Sequence, residues 1–193
     1  MLSDPAQIDT TEATAGALIG LTGTDADLLE QVCGEVLGAA GVDSTRFFSR
    51  LRQGQSLGNA LGLPTDVTEL IYARAHRWFV AGRSERAEPL FRALCAADGG
   101  TADYWIGLGI CLRLKGDYAG ASLAFSMAGN LRPDWAVPAF HAAELALQRR
   151  DRATAEAEIG RFRRLADATT PERLRDEAAR VERALGAQKQ AVR

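Results

Sequence analysis

Between residues 103 and 133 the sequence sets bulky and small apolar residues at fixed intervals. Trp105, Leu108, Gly109 and Leu112 come first, then Ala121, Phe125 and Ala128, then Pro133. Lys115, Gly116 and Asp117 form a turn between the two halves, so the stretch reads as two short amphipathic helices. Gly109 stands where a larger side chain would hold the helices apart, and Ala121 faces it from the second helix. Trp105 and Phe125 fill the space beside that close contact. A hairpin of this size cannot bury its apolar face alone and must stack on neighbours.

The flanks repeat the pattern at a step of about 34 residues. Upstream, Gly109, Leu112, Gly116, Ala121 and Phe125 map to Ala75, Trp78, Gly82, Ala87 and Phe91. Downstream, Gly109, Ala121 and Phe125 map to Ala143, Ala155 and Ile159, while Arg150 replaces the turn glycine and Ala139 replaces Trp105. The signature W-x2-L-G, A-x3-F, P is that of a tetratricopeptide repeat. The expected fold is all-α, with three helical hairpins at 68–101, 102–135 and 136–169. Together they make a repeat domain over residues 67–169.

Residues 1–23 are Thr-, Ala- and Gly-rich and acidic, and are expected to be a disordered arm. Residues 24–66 are expected to form N-terminal helices that cap the repeats or pair with another chain. Thr24 is the N-cap candidate for the first of these helices, and Asp43 and Ser44 open the second. The glycine-punctuated stretch 54–64 lacks a phosphate-loop signature and follows no strand. Pro64, Thr65 and Asp66 open the first repeat helix, with Thr65 or Asp66 as N-cap. Pro89 should remove a hydrogen bond or kink its helix. Residues 170–186 read as a capping helix, with Leu174, Ala178, Val181 and Leu185 on one face and Arg and Glu on the other. The tail 187–193 should fray.

Charge and cysteine usage narrow the function. Net charge is −2, yet the first 45 residues hold eight acids and no Lys or Arg. This argues against a secretory signal, which needs a basic start. No basic patch with interleaved aromatics points to nucleic acid. The apolar patch 15–21 is too short to enter and span a bilayer. Three cysteines without paired spacing suit a reducing, cytoplasmic setting. His141 and Glu144 have an i, i+3 spacing that could hold a metal, but no further ligands stand at a matching spacing. No nucleophile–base constellation is present. The expectation is a binding protein with no catalytic residues, no metal and no cofactor.

In stacked hairpins the first helix of each repeat lines the concave side. The inward positions are Tyr72, His76 and Phe79, then Ile106, Ile110 and Arg113, then Val137, Phe140, Glu144 and Leu147. A carboxylate-gripping groove needs Lys, Arg or Asn at the places held by Tyr72, Ile106, Phe140, His76, Ile110 and Glu144. An extended segment with apolar anchors fits better. The alternative is a scaffold that binds a helical partner, such as a regulatory adaptor.

Residues 72–98, the run W-I-G-L-G-I-C-L-R-L-K-G-D-Y at 105–118 and the run P-A-F-H-A-A-E-L at 138–145 resemble the class II chaperones of bacterial type III secretion. The resemblance covers about residues 61–185, and with it the helix-binding alternative extends to a needle-subunit chaperone. It implies a cytoplasmic chaperone that binds an extended segment of hydrophobic translocator proteins, needs no cofactor, and forms a homodimer through its N-terminal helices. By position, it implies that Tyr72, His76, Phe79, Ile106, Ile110 and Phe140 line pockets for apolar anchors; Glu144 joins the candidates from its inward helix position alone. His76 departs from the aromatic usual in the family, and the N-terminus is longer than the family's norm.

Overall fold

The structure, a computed structural model, describes residues 23–191, with side chains for 31–186. The expected acidic arm, 1–23, falls outside these residues except for Gly23. Among the described residues there are ten helices and no strand. They are α1 Gly23–Ala39, α2 Ser44–Arg52, α3 Leu57–Ala60, α4 Thr65–Val80, α5 Ser84–Ala97, α6 Ala102–Lys115, α7 Tyr118–Leu131, α8 Ala136–Gln148, α9 Arg152–Leu165 and α10 Glu172–Ala191. The chain divides into two compact units near α3.

The first unit is built on α1 and α2. Asp43 caps α2, accepting from the Arg46 amide at 3.1 Å. Phe47 is buried and meets Phe48 edge to face at 5.1 Å. Arg50 Nη1 of α2 donates to the carbonyl of Asn59 in α3 at 2.8 Å. Helix α1 begins at Gly23, so the N-cap candidate Thr24 lies inside it. Val32 and Val36, one turn apart on α1, are 53% and 66% exposed.

The second unit is a stack of three hairpins, α4–α5, α6–α7 and α8–α9, closed by α10. The hairpin contacts are governed by size. Ala75, Ala87, Ala121, Ala128, Ala143 and Ala155 are all fully buried, as the repeat pattern requires. Helix α6 makes two closer approaches still. A Cβ on Gly109 would lie 2.5 Å from the Phe125 ring of α7, in the same hairpin. A Cβ on Gly107 would be closer again to the Phe91 ring of α5, in the preceding one. The two phenylalanines occupy equivalent repeat positions, so α6 is gripped from both sides by the same side chain. Each glycine gives up about 1 kcal/mol of helix propensity for that approach. Trp105 Nε1 donates to the Gly99 carbonyl at 2.8 Å and fixes the entry to α6.

The turns inside the hairpins share one geometry. Gly82 and Gly116 adopt φ of 70° and 87°. The residue after each donates to a carbonyl five back: Arg83 to Trp78 at 2.8 Å and Asp117 to Leu112 at 2.9 Å. This is the Schellman closure, in which glycine takes the left-handed position. In the third hairpin Asp151 donates to Ala146 at 2.8 Å, and Arg150 holds the left-handed position at φ 59°. It is the one non-glycine residue with positive φ among the described residues. Asp117 and Asp151 then cap α7 and α9 through the Gly120 and Thr154 amides.

Some local expectations are corrected. The N-cap of α4 is Pro64, not Thr65 or Asp66, and no side chain closes it. The glycine-rich stretch before it contains the short helix α3. Helix α10 runs to Ala191, so Gly186 does not end it. Pro89 lies inside α5 and is exposed; it has no N–H to give the carbonyl four residues back, and the helix continues past it. Arg152 donates to the Leu185 carbonyl and ties α9 to α10.

Two substitutions test this packing by thermal or urea unfolding. Gly109→Ala should destabilise by about 1–3 kcal/mol despite its better helix propensity, because the new methyl overlaps the Phe125 ring. Adding Phe125→Leu should cost less than the sum of the two changes. Arg150→Gly should stabilise by about 1 kcal/mol, by relieving a left-handed non-glycine residue.

Candidate functional site

The first helices of the hairpins, α4, α6 and α8, lie side by side along one face. Tyr72, His76 and Phe79 share a face of α4 at helical spacing, as Ile106, Ile110 and Arg113 do on α6 and Phe140, Glu144 and Leu147 on α8.

The α4 end of this face is aromatic. The Tyr72 ring lies 5.4 Å from Tyr104, 6.2 Å from His76 and 6.3 Å from Phe91. Phe79 meets Phe91 edge to face at 6.3 Å. Tyr72 and Phe79 are half-buried and His76 is exposed. Burial, reinforced by the Asp103 carboxylate, raises the Tyr72 phenol above its ordinary value. Burial does the same for Tyr104, with Asp98 adding to it. Both phenols therefore remain protonated near neutral pH, as hydrogen-bond donors on an apolar surface.

The α8 end is polar. Glu144 Oε2 accepts from His141 Nδ1 at 2.8 Å and pairs with Arg113 Nη2 of α6 at 3.2 Å. The His141 ring stacks on Phe125 at 5.5 Å, which fixes its plane. Burial opposes ionisation of Glu144, but the His141 hydrogen bond and the Arg113 charge outweigh it. The carboxyl is held below its ordinary value. The i, i+3 pair His141–Glu144 thus joins two helices through Arg113. Among the described residues no group of three metal-ligating side chains is assembled.

The remaining sequence-derived positions divide by burial. Ile110 is half-buried, whereas Ile106 is 9% exposed and belongs to the core. Phe140 requires a correction. It is 2% exposed, with its ring 5.8 Å from Phe162, and it shares a core cluster with Ile159 and Ala178. Helix α10 packs on α8 and α9 and closes the space over it. With Ala139 standing where Trp105 stands in the second repeat, Phe140 is the large side chain left to fill this end of the stack. It is not available as a pocket wall. Two exposed residues were missed: Val80 and Leu114, at 70% and 60% exposure, at the last turns of α4 and α6. Their signal was present, because both are apolar at the same repeat position, 34 residues apart.

Other features carry no chemistry. Burial pushes the Cys95 thiol up to about 12 and Cys111 up to about 11, so neither forms a thiolate near neutrality. A depression of about 450 Å³ is lined by Asp103, Arg132, Trp135 and Thr170, and by Val137 from the sequence-derived inward positions. Among the described residues no helix is long and apolar enough to cross a membrane.

Stacked hairpins with an aromatic face on their first helices define a tetratricopeptide-repeat binding protein. No protein-family model matches the chain. Individual relatives do. The low calcium response locus protein H of Yersinia pestis is 32% identical over 114 residues, 59% of this chain and 67% of its own. Chaperone protein SicA of Salmonella typhimurium is 31% identical over 103 residues, 53% of this chain and 62% of its own. Among solved structures, PcrH in complex with the chaperone-binding region of PopD is 34% identical with a TM-score of 0.62, over 66% of this chain and 97% of that one. The Yersinia enterocolitica chaperone SycD in complex with a peptide of the translocator YopD is 29% identical with a TM-score of 0.61, over 66% and 98%. The chain belongs to the type III secretion translocator-chaperone family.

The burial of Phe140 has a direct test. Phe140→Ala should lower unfolding free energy by about 3–5 kcal/mol, measured by denaturant titration. The half-exposed Tyr72, truncated in the same way, should cost far less.

Proposed function

We propose that this chain is a cytoplasmic chaperone that holds an extended, apolar segment of a type III translocator against the face of α4, α6 and α8. The supporting observation is the unsatisfied apolar surface there: Tyr72, Phe79 and Ile110 half-covered, Val80, Leu114 and Leu147 exposed. Patches of this kind mark contact surfaces. Relatives with the same fold are solved with peptides of YopD, PopD and PopB.

The seven sequence-derived residues then take different roles. Tyr72, Phe79 and Ile110 receive apolar anchors, and His76 makes its pocket more polar. Ile106 and Phe140 support the face from below. Glu144 sets the polar end. Residues 24–66 serve pairing rather than ligand binding, with exposed Val32 and Val36 on α1 offering a surface to a second copy. Relative SycD has been solved in an alternative dimer.

No catalytic step is assigned. Covering an apolar, strand-prone segment removes an aggregation hazard by itself. An extended ligand also has no tertiary structure of its own to dismantle before export.

Tyr72→Ala should weaken binding of a translocator by about 1–3 kcal/mol in titration calorimetry. Its melting temperature should stay close to that of the unaltered protein. Equal affinity for both proteins would remove α4 from the ligand surface.

A further inference from the structure

The Arg113–Glu144 pair holds a hydrogen-bonding capacity that the fold does not use. A guanidinium carries five N–H groups in a planar fork. Arg113 spends one nitrogen on Glu144 and has no other protein partner among the described residues. Its Nε is shut off from solvent with no acceptor. The side chain is only 12% exposed, so water gives little compensation. Glu144 directs both of its contacts, to His141 and Arg113, through Oε2. Oε1 has no partner among the described residues, and the side chain is 27% exposed. Nε is out of a ligand's reach, so the donor left open lies at the terminal nitrogens of the guanidinium, beside an underused acceptor on the adjacent helix. His141 restrains the acceptor, and its own ring is held against Phe125.

The charge balance selects what can fill this place. Arg113 and Glu144 neutralise each other. A ligand carboxylate drawn to Arg113 would meet Glu144, and a ligand ammonium drawn to Glu144 would meet Arg113. A neutral group that both donates and accepts suffers neither repulsion. The peptide backbone is such a group. In an extended chain the N–H and C=O of one residue point to the same edge, so both can be engaged together.

We propose that Arg113 and Glu144 form a main-chain clamp, with Arg113 donating to a carbonyl of the bound segment and Glu144 accepting the amide N–H of the same residue. This rests on the reading of α4, α6 and α8 as the ligand face. The aromatic α4 end reads side chains, whereas the α6–α8 end fixes register without regard to the side chain at that point. Arg113 is a binding residue of this chain that the apolar pattern alone does not reveal.

The test uses a synthetic peptide of the PopD chaperone-binding region, titrated against the full chain. Arg113→Leu should weaken binding about tenfold, the loss of one charge-assisted hydrogen bond. A series of peptides, each with one backbone amide replaced by an ester, locates the contact. Two consecutive ester positions should weaken binding to the unaltered protein: the first removes the N–H given to Glu144, and the second weakens the carbonyl held by Arg113. Only the second should have no further effect on Arg113→Leu. Replacing the side chain at that position by Ala should leave the coupling intact. If Arg113→Leu does not fold, as judged by its helical circular dichroism, Arg113→Lys takes its place, since it keeps the charge and loses the fork. Ester penalties that are the same in both proteins would overturn the clamp and leave the groove standing. Coupling that vanishes with the side chain would also overturn it, in favour of side-chain recognition. No binding by the unaltered protein would overturn the groove reading, and the clamp with it.

Discussion

The close passage of α6 between two phenylalanine rings sets the rest of the second unit. Gly107 and Gly109 have no side chain to displace, so Phe91 and Phe125 press onto the α6 backbone from the preceding hairpin and from its own. The separation of α6 from α5 and from α7 is therefore set by a ring against a bare backbone. The stacking in turn fixes where the first helices lie. Side chains at matching repeat positions on α4, α6 and α8 then fall into rows, and these rows form the face proposed above for the ligand. A substitution at either glycine changes the spacing of the rows before it touches any residue that meets a ligand.

The same features were the ones the sequence carried most clearly. Small residues at 34-residue spacing can be read directly because a close helix approach tolerates nothing larger, and Ala75, Ala121 and Ala143 are fully buried as that demands. The turns were legible for a similar reason, since a left-handed position selects glycine. The exception at Arg150 shows that the closure depends on the backbone geometry more than on the residue type. What the sequence hid was which side of a half-buried position faces a neighbour. Tyr72, Ile106 and Phe140 hold one repeat position, yet they range from half-exposed to fully buried. The difference comes from what is stacked next to each. Helix α10 closes over the last repeat, and no periodicity within a single repeat records that.

The polar end of the face was hidden for another reason. Arg113 and Glu144 are 31 positions apart and sit at different places in their repeats, so no motif links them. Only the stacking of α6 on α8 brings them to 3.2 Å. His141 and Glu144 did stand out as a pair, and the spacing invited a metal reading. In the structure the pair is completed by a guanidinium instead, and a cation already in place leaves little reason for a metal to bind.

These two ends give the face a division of labour that suits a chaperone for apolar cargo. Apolar pockets alone bind many sequences and set register poorly, because neighbouring registers bury similar areas. A grip on the backbone costs a wrong register two hydrogen bonds while asking nothing of the side chain there. A face assembled this way can accept related segments that share anchor spacing and still hold each in one alignment. On that proposal, selectivity resides in where a few donors and acceptors are left open.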